Sequence, residues 1–135
     1  MIQINDELKN SYSMITSTEL NPIPADVVCF QLNVPKALSY YVGHFPNQPI
    51  LPAVAFIDIS LYFVSKASPI FNVVTPKNYS EIPLLKIEKI VAPGDLCYIY
   101  LQKISDLQFG ITWSLFSKYP ETQTQKNIAD LKICF

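Results

Sequence analysis

The chain has 135 residues, half of them hydrophobic, with ten lysines, eleven acidic residues, no arginine and a formal net charge of −1. That length fits one domain, residues 1–135, with a real core. The charge balance excludes the clustered, arginine-rich surface that specific nucleic-acid binding normally needs.

In chain order, the first residues, Met1 to Glu7, lack the basic stretch and apolar run of a secretory signal. Cys29, Cys97 and Cys134 are far apart and without CxxC spacing, so buried, reduced thiols in a cytoplasmic protein are expected. A short helix over Asp6 to Ser11 and a strand near Tyr12–Thr18 precede the breaker Asn21-Pro22-Ile23-Pro24. Val27–Val34 reads as a strand, and Pro35 to Gln48 as an ordered, non-regular loop. Pro52 can open a helix from about Ala53 to Lys66, closed by Ser68-Pro69. That helix is apolar almost all round, which predicts protein on most sides of it. The apolar stretch Pro49 to Val64 is too short to cross a bilayer and carries Asp58, so no membrane span is expected.

Four strands follow, Leu84–Val91, Leu96–Ile104, Phe109–Lys118 and Asn127–Phe135, with a polar loop across Tyr119–Lys126. The first two flank Ala92-Pro93-Gly94-Asp95, where Pro then Gly favours a type II turn. One long buried helix segregated from a run of strands indicates an α+β domain, a mainly antiparallel sheet wrapped around the helix. The hydrophobic excess is more than one small domain covers, so a dimer is expected.

The segment Gly43-His44-Phe45-Pro46 through Pro49-Ile50-Leu51-Pro52-Ala53-Val54 to Asp58 carries the chemistry. His44 is the one histidine, which with the scattered cysteines leaves no metal-ligand set. Asp58 lies mid-helix among apolar neighbours with no lysine at helical spacing, and desolvation there would favour its neutral form. An imidazole and a neutral carboxylic acid are the parts of general acid–base catalysis. A proline-initiated helix start adds unpaired N–H groups and a positive dipole end. Taken singly, each residue also fits a plainer role: His44 in loop packing, Asp58 bonded to a loop or a partner, Ser60 bonding back within its helix, Tyr40 and Tyr41 in packing.

The whole string resembles the signature of the β-hydroxyacyl-acyl-carrier-protein dehydratases, hot-dog-fold enzymes of fatty acid and polyene synthesis. Aspartate fourteen residues after the histidine is similar to the subset that includes dehydratase-isomerases and aryl-polyene-type enzymes. Lys86 to Asp95 is similar to the family's later strand ending in V-x-P-G-D, so the resemblance covers about residues 25–105. It implies dehydration of 3-hydroxyacyl thioesters without metal or other cofactor, in a hot-dog domain. His44 would remove the α-proton, and Asp58, reaching across a dimer interface, would protonate the leaving hydroxyl. The Ala53 N–H would bind the thioester oxygen, the Ile50 carbonyl would orient His44, and Gly43, Phe45 and Tyr62 would line the substrate site. Ala53 and Asn47 replace glycines usual in the family, and Tyr62 stands where many relatives carry glutamine.

The partner implied is an acidic acyl carrier protein, for which Lys36, Lys66, Lys86 and Lys89 are the docking candidates. The dimer could pair two copies or join a second hot-dog subunit. Two rival readings remain at this point: a hot-dog thioesterase, and a non-catalytic subunit of a heterodimer.

Overall fold

A computed structural model describes residues 4–36, 38–41, 50–76, 78–115 and 127–135. In chain order the elements are α1 (Ile4–Leu8), β1 (Tyr12–Ile15), β2 (Val27–Asn33), a 3-10 turn (Ser39–Tyr41), α2 (Ala53–Ala67), β3 (Glu81–Ile87), β4 (Leu96–Ser105), β5 (Gln108–Ser114) and β6 (Ala129–Cys134). The six strands form one sheet in the order β1-β2-β4-β5-β6-β3, every neighbouring pair antiparallel. This is the α+β arrangement the sequence predicts, one long helix against one antiparallel sheet.

Period-two alternation sends one set of strand residues toward α2 and the other set away from it. Phe30 and Leu32 of β2, Ile99 and Leu101 of β4, Phe109, Ile111 and Trp113 of β5, and Leu131 and Ile133 of β6 form the helix-side layer. They close over Ala55, Phe56, Ile59, Phe63, Val64 and Ala67 of α2. On the opposite face Val27, Cys29 and Tyr100 form a smaller apolar cluster with Ile15, Ile23 and Tyr98.

Some boundaries differ from the sequence reading. β1 stops at Ile15 because the next residues enter a turn: Ser17 Oγ accepts the Ile23 N–H at 2.9 Å and Thr18 Oγ1 the Asn21 N–H at 3.0 Å. α1 ends at Leu8, whose carbonyl accepts the Ser11 N–H at 2.9 Å. β3 is Glu81–Ile87, not Leu84–Val91. The N–H groups of Glu88 and Lys89 both turn to the Ile128 carbonyl, at 2.8 and 3.2 Å, and the chain leaves the ladder there. The Pro–Gly turn holds: Asp95 N–H reaches the Ala92 carbonyl at 3.1 Å, and Gly94 takes φ +87°, a conformation other residues rarely adopt. The loop expected over Tyr119–Lys126 lies outside the described residues.

Among the described residues the sheet has two open edges, and β3 is the longer of them. Leu84, Leu85 and Ile87 are 38%, 37% and 39% exposed. Pro83 within the strand fits an edge position, where its missing N–H removes no central ladder bond. Among the described residues no helix is long and apolar enough to cross a membrane.

Candidate active site

Pro52 precedes α2 in extended geometry (φ −76°, ψ 164°), and among the described residues no side chain caps the helix start. The N–H groups of Ala55 and Phe56 both turn to the Pro52 carbonyl, at 3.0 and 3.3 Å. The N–H groups of Ala53 and Val54 precede the first acceptor the helix can offer, so they have no partner within the helix. Ala53 is exposed.

Asp58 lies a little over one turn further along the helix and is half-buried within the single chain. It sits on an outward stripe with Val54, 54% exposed, and the half-buried Ile57 and Leu61. Tyr62, one turn on, faces inward and is 6% exposed. Its hydroxyl donates to the Tyr12 hydroxyl at 3.1 Å, in an aromatic cluster with Phe30 and Phe63. Burial, and then that hydrogen bond, push the Tyr62 phenol well above its usual range, so it stays a neutral donor.

The eight residues 42–49 lie outside the described part, and with them His44, Gly43 and Phe45. Their two flanks are described, and both meet one atom. The Val91 carbonyl accepts the Leu51 N–H at 3.0 Å and the Tyr41 hydroxyl at 3.4 Å. Val91 is held in turn by the Pro–Gly turn that follows it. Asp95 Oδ2 accepts the Ala92 N–H at 2.8 Å, while Val34 exchanges backbone bonds with Asp95 and Gly94 at 2.9 and 2.8 Å. The second sequence segment thus buttresses both ends of the first. Burial is the main cause, with the nearby Asp95 and Cys97 next, that raises the Tyr41 phenol well above its usual range.

A further anchor was not visible in the sequence. Glu7 of α1 accepts the Ser39 N–H at 2.8 Å, tying the N-terminal helix to the turn that leads into residue 42. The two residues are 32 positions apart and share no motif. Ser60 differs from expectation: it does not bond back within its helix. Its Oγ accepts the Trp113 indole N–H at 2.9 Å, both groups fully buried.

The model of the ApeI-like family, described as ApeI dehydratase, matches residues 21–126. The chain belongs to the ApeI-like dehydratase family. Among curated relatives, the 3-hydroxyacyl-[acyl-carrier-protein] dehydratase FabZ of Lactobacillus helveticus is 29% identical over 108 residues, covering 73% of this chain and 69% of that protein. The FabZ of Lactiplantibacillus plantarum is 29% identical over 92 residues, 64% of this chain and 58% of that protein. The bifunctional enzyme LpxC/FabZ of Porphyromonas gingivalis is 23% identical over 113 residues, 81% of this chain and 24% of that protein. The chain therefore spans a quarter of the bifunctional protein and less than two thirds of the plantarum enzyme. Among solved structures, the dehydratase heterocomplex ApeI:P from Xenorhabdus doucetiae superposes with a TM-score of 0.62 at 21% identity, covering 90% of this chain and 95% of that one. The PaaI protein of the Escherichia coli phenylacetic acid degradation operon gives 0.59 at 12% identity, covering 97% and 86%. The fold of this ApeI-like chain is the hot-dog fold.

The lysines singled out in the sequence are spread over the ApeI-like scaffold. Lys36 is exposed and lies over the Pro–Gly turn, its Cε packed near Gly94. Lys66 is exposed in the last turn of α2, with Nζ 5.3 Å from the Tyr62 ring centroid. Lys86 pairs with Glu88 at 3.1 Å, and Lys89 is half-buried beyond the end of β3 rather than on it. All three cysteines are free; Cys29 and Cys97 are buried, whereas Cys134 is only half-buried, at the end of β6. Burial pushes the Cys29 and Cys97 thiols up to about 12, which keeps them protonated and inert.

Proposed function

We propose that this chain dehydrates 3-hydroxyacyl thioesters, delivered on an acyl carrier protein in the cytoplasm, to trans-2-enoyl thioesters of a fatty acid or polyene pathway. His44 takes the α-proton, and the electron pair left behind forms the new carbon–carbon double bond. The hydroxyl leaves as water with a proton from Asp58. The Ala53 N–H, at the uncapped start of α2, stabilises the negative charge that builds on the thioester oxygen. The Ile50 carbonyl orients the imidazole, and Gly43, Phe45 and Tyr62 shape the acyl site. Lys36, Lys66, Lys86 and Lys89 are the surface cations available to an acidic carrier. The reaction is redox-neutral and is completed by side chains and backbone alone.

The observation that carries the reading is the geometry of α2: an open, uncapped N-terminus followed, on the outward stripe of the same helix, by a carboxyl among apolar side chains. That stripe also supports a site completed at an interface. In a dimer, Asp58 of one subunit would serve the His44 segment of the other.

The test is direct. The purified chain is incubated with 3-hydroxyacyl and trans-2-enoyl thioesters and the products are weighed by mass spectrometry. Interconversion by loss and gain of water is expected, and His44→Ala should abolish it in both directions while the circular dichroism spectrum is retained. A free thiol as the main product would overturn the dehydratase reading in favour of a thioesterase. Near-normal turnover by His44→Ala would remove the histidine from the mechanism.

A further inference from the structure

In the proposed reaction Asp58 acts on the hydroxyl at C3, so the acyl carbons beyond C3 begin beside that residue. Side chains three and four positions away are its neighbours on a helix, and here these are Val54, Ala55, Leu61 and Tyr62. Val54 and Leu61 lie on the outward stripe, and Ala55 carries only a methyl group. Tyr62 is the large side chain of the four that turns inward, and its ring is held from several sides. The rings of Tyr12 and Phe63 stand edge-on to it, with centroids 5.6 and 5.3 Å away, and Lys66 Nζ lies over it at 5.3 Å. Its hydroxyl is fixed as well, donating to the Tyr12 hydroxyl at 3.1 Å. Tyr12 is clamped in turn against Phe30 and Phe63, at 5.9 and 5.2 Å, and stands in register with Leu32 of β2. An exposed side chain such as Val54 changes rotamer in picoseconds to nanoseconds, whereas Tyr62 cannot swing without displacing Tyr12.

We propose that Tyr12 is a positioning residue that sets substrate specificity: by pinning Tyr62 it closes the acyl site about 5.4 Å, one helical turn, past Asp58, so that short 3-hydroxyacyl thioesters are preferred. The proposal rests on the reading above, in which Asp58 acts at C3, and it adds the class of acyl chain and the residue that selects it. Tyr12 touches no reacting atom and works through Tyr62. The wall resists entry for a physical reason. An acyl chain wedged between the two rings would leave the Tyr62 hydroxyl buried without its acceptor, which opposes the gain from apolar contact. Each methylene that an apolar pocket accepts or refuses changes discrimination by about 10–200-fold, so a fixed wall at this depth separates short chains from long ones. Tyr12 belongs to no motif and lies 50 positions from Tyr62, on the edge strand β1.

The experiment measures kcat/KM of the purified full chain with 3-hydroxybutyryl and 3-hydroxydodecanoyl thioesters of pantetheine. The wild type is expected to favour the butyryl substrate. Tyr12→Ala gives Tyr62 room to swing back and should raise the dodecanoyl-to-butyryl ratio by about tenfold or more. Because Tyr12 acts through Tyr62, the same substitution should add nothing to the ratio in a Tyr62→Ala background, a non-additivity that a merely structural role does not produce. If Tyr12→Ala does not fold, Tyr12→Phe and Tyr62→Phe, which keep the rings and break the hydroxyl pair, run the same cycle with a smaller shift. A wild type that favours the dodecanoyl substrate, a Tyr12 variant that loses turnover equally on both chains, or shifts that simply add, overturns the proposal. Calorimetric binding of the amide analogues of both thioesters separates this proposal from the activity it rests on. A chain-length preference in binding that follows Tyr12, without any dehydration, would leave the wall standing and remove the activity; dehydration with the same ratio in every variant would do the reverse.

Discussion

The two faces of α2 are made of similar residues and meet different fates. Inward, Ala55, Phe56, Ile59, Phe63 and Ala67 have no exposed surface, and Trp113 reaches across to donate to Ser60. Outward, Val54, Ile57 and Leu61 are equally apolar but remain at least partly open around Asp58. Among the described residues the chain completes the first face and leaves the second partly open. The difference separates two jobs that hydrophobicity alone does not distinguish: the inward face holds the fold together, and in the proposed mechanism the outward stripe carries the carboxyl.

Substitutions on the two faces should therefore fail in different ways. Asp58→Asn, on the open stripe, should lower dehydration by about 10²–10⁴-fold because the amide cannot deliver a proton, while cooperative thermal unfolding is retained. Phe56→Ala, on the closed face, removes a ring packed 4.7 Å from Trp113. It should cost about 3–5 kcal/mol in denaturant unfolding. The comparison breaks if Asp58→Asn unfolds the protein or if Phe56→Ala is thermodynamically silent.

Ser60→Ala sharpens the same contrast at smaller scale. It leaves the buried Trp113 N–H without its acceptor, a loss of about 1–3 kcal/mol in urea unfolding, with turnover preserved at temperatures where the protein stays folded. Ser60 lies next but one to Asp58 in sequence, so an equal loss of activity and stability would show that the two faces are not independent.

The last effect concerns the sheet and shows only at high pH. Cys29 and Cys97 have thiols raised from 9.0 to about 12 by burial, so the folded state holds their protons more tightly than the unfolded state does. Their contribution is fully present below pH 9 and falls as pH rises toward about 12. Stability measured by urea titration should decline through that window, and Cys29→Ala should flatten the decline. A decline unchanged by that substitution would assign it to other groups.

Much of this architecture was legible in local sequence because its causes are local. Pro52 sets the start of α2, Gly94 sets the turn, and apolar runs set β2, β4 and β5. What stayed hidden depends on partners far along the chain. The apolar run through Val91 reads as a continuous strand, yet β3 ends at Ile87, because the Val91 carbonyl is taken by Tyr41 and Leu51 rather than by β6. Ser60 looks like a helix residue bonding to its own backbone, and its true acceptor role depends on an indole 53 positions away. Of the proposed catalytic pair, both members come from the sequence motif; Asp58 lies on the outward stripe of α2, and His44 lies outside the described residues.

The convergence of Tyr41 and Leu51 on one carbonyl oxygen has a consequence for how the chain tolerates change. Because both flanks are fastened at a single point, they cannot be loosened one at a time: displacing the Val91 carbonyl frees the Tyr41 hydroxyl and the Leu51 N–H together. The clasp at Val91 thus cannot shift without moving the helix start and the neighbouring turn with it.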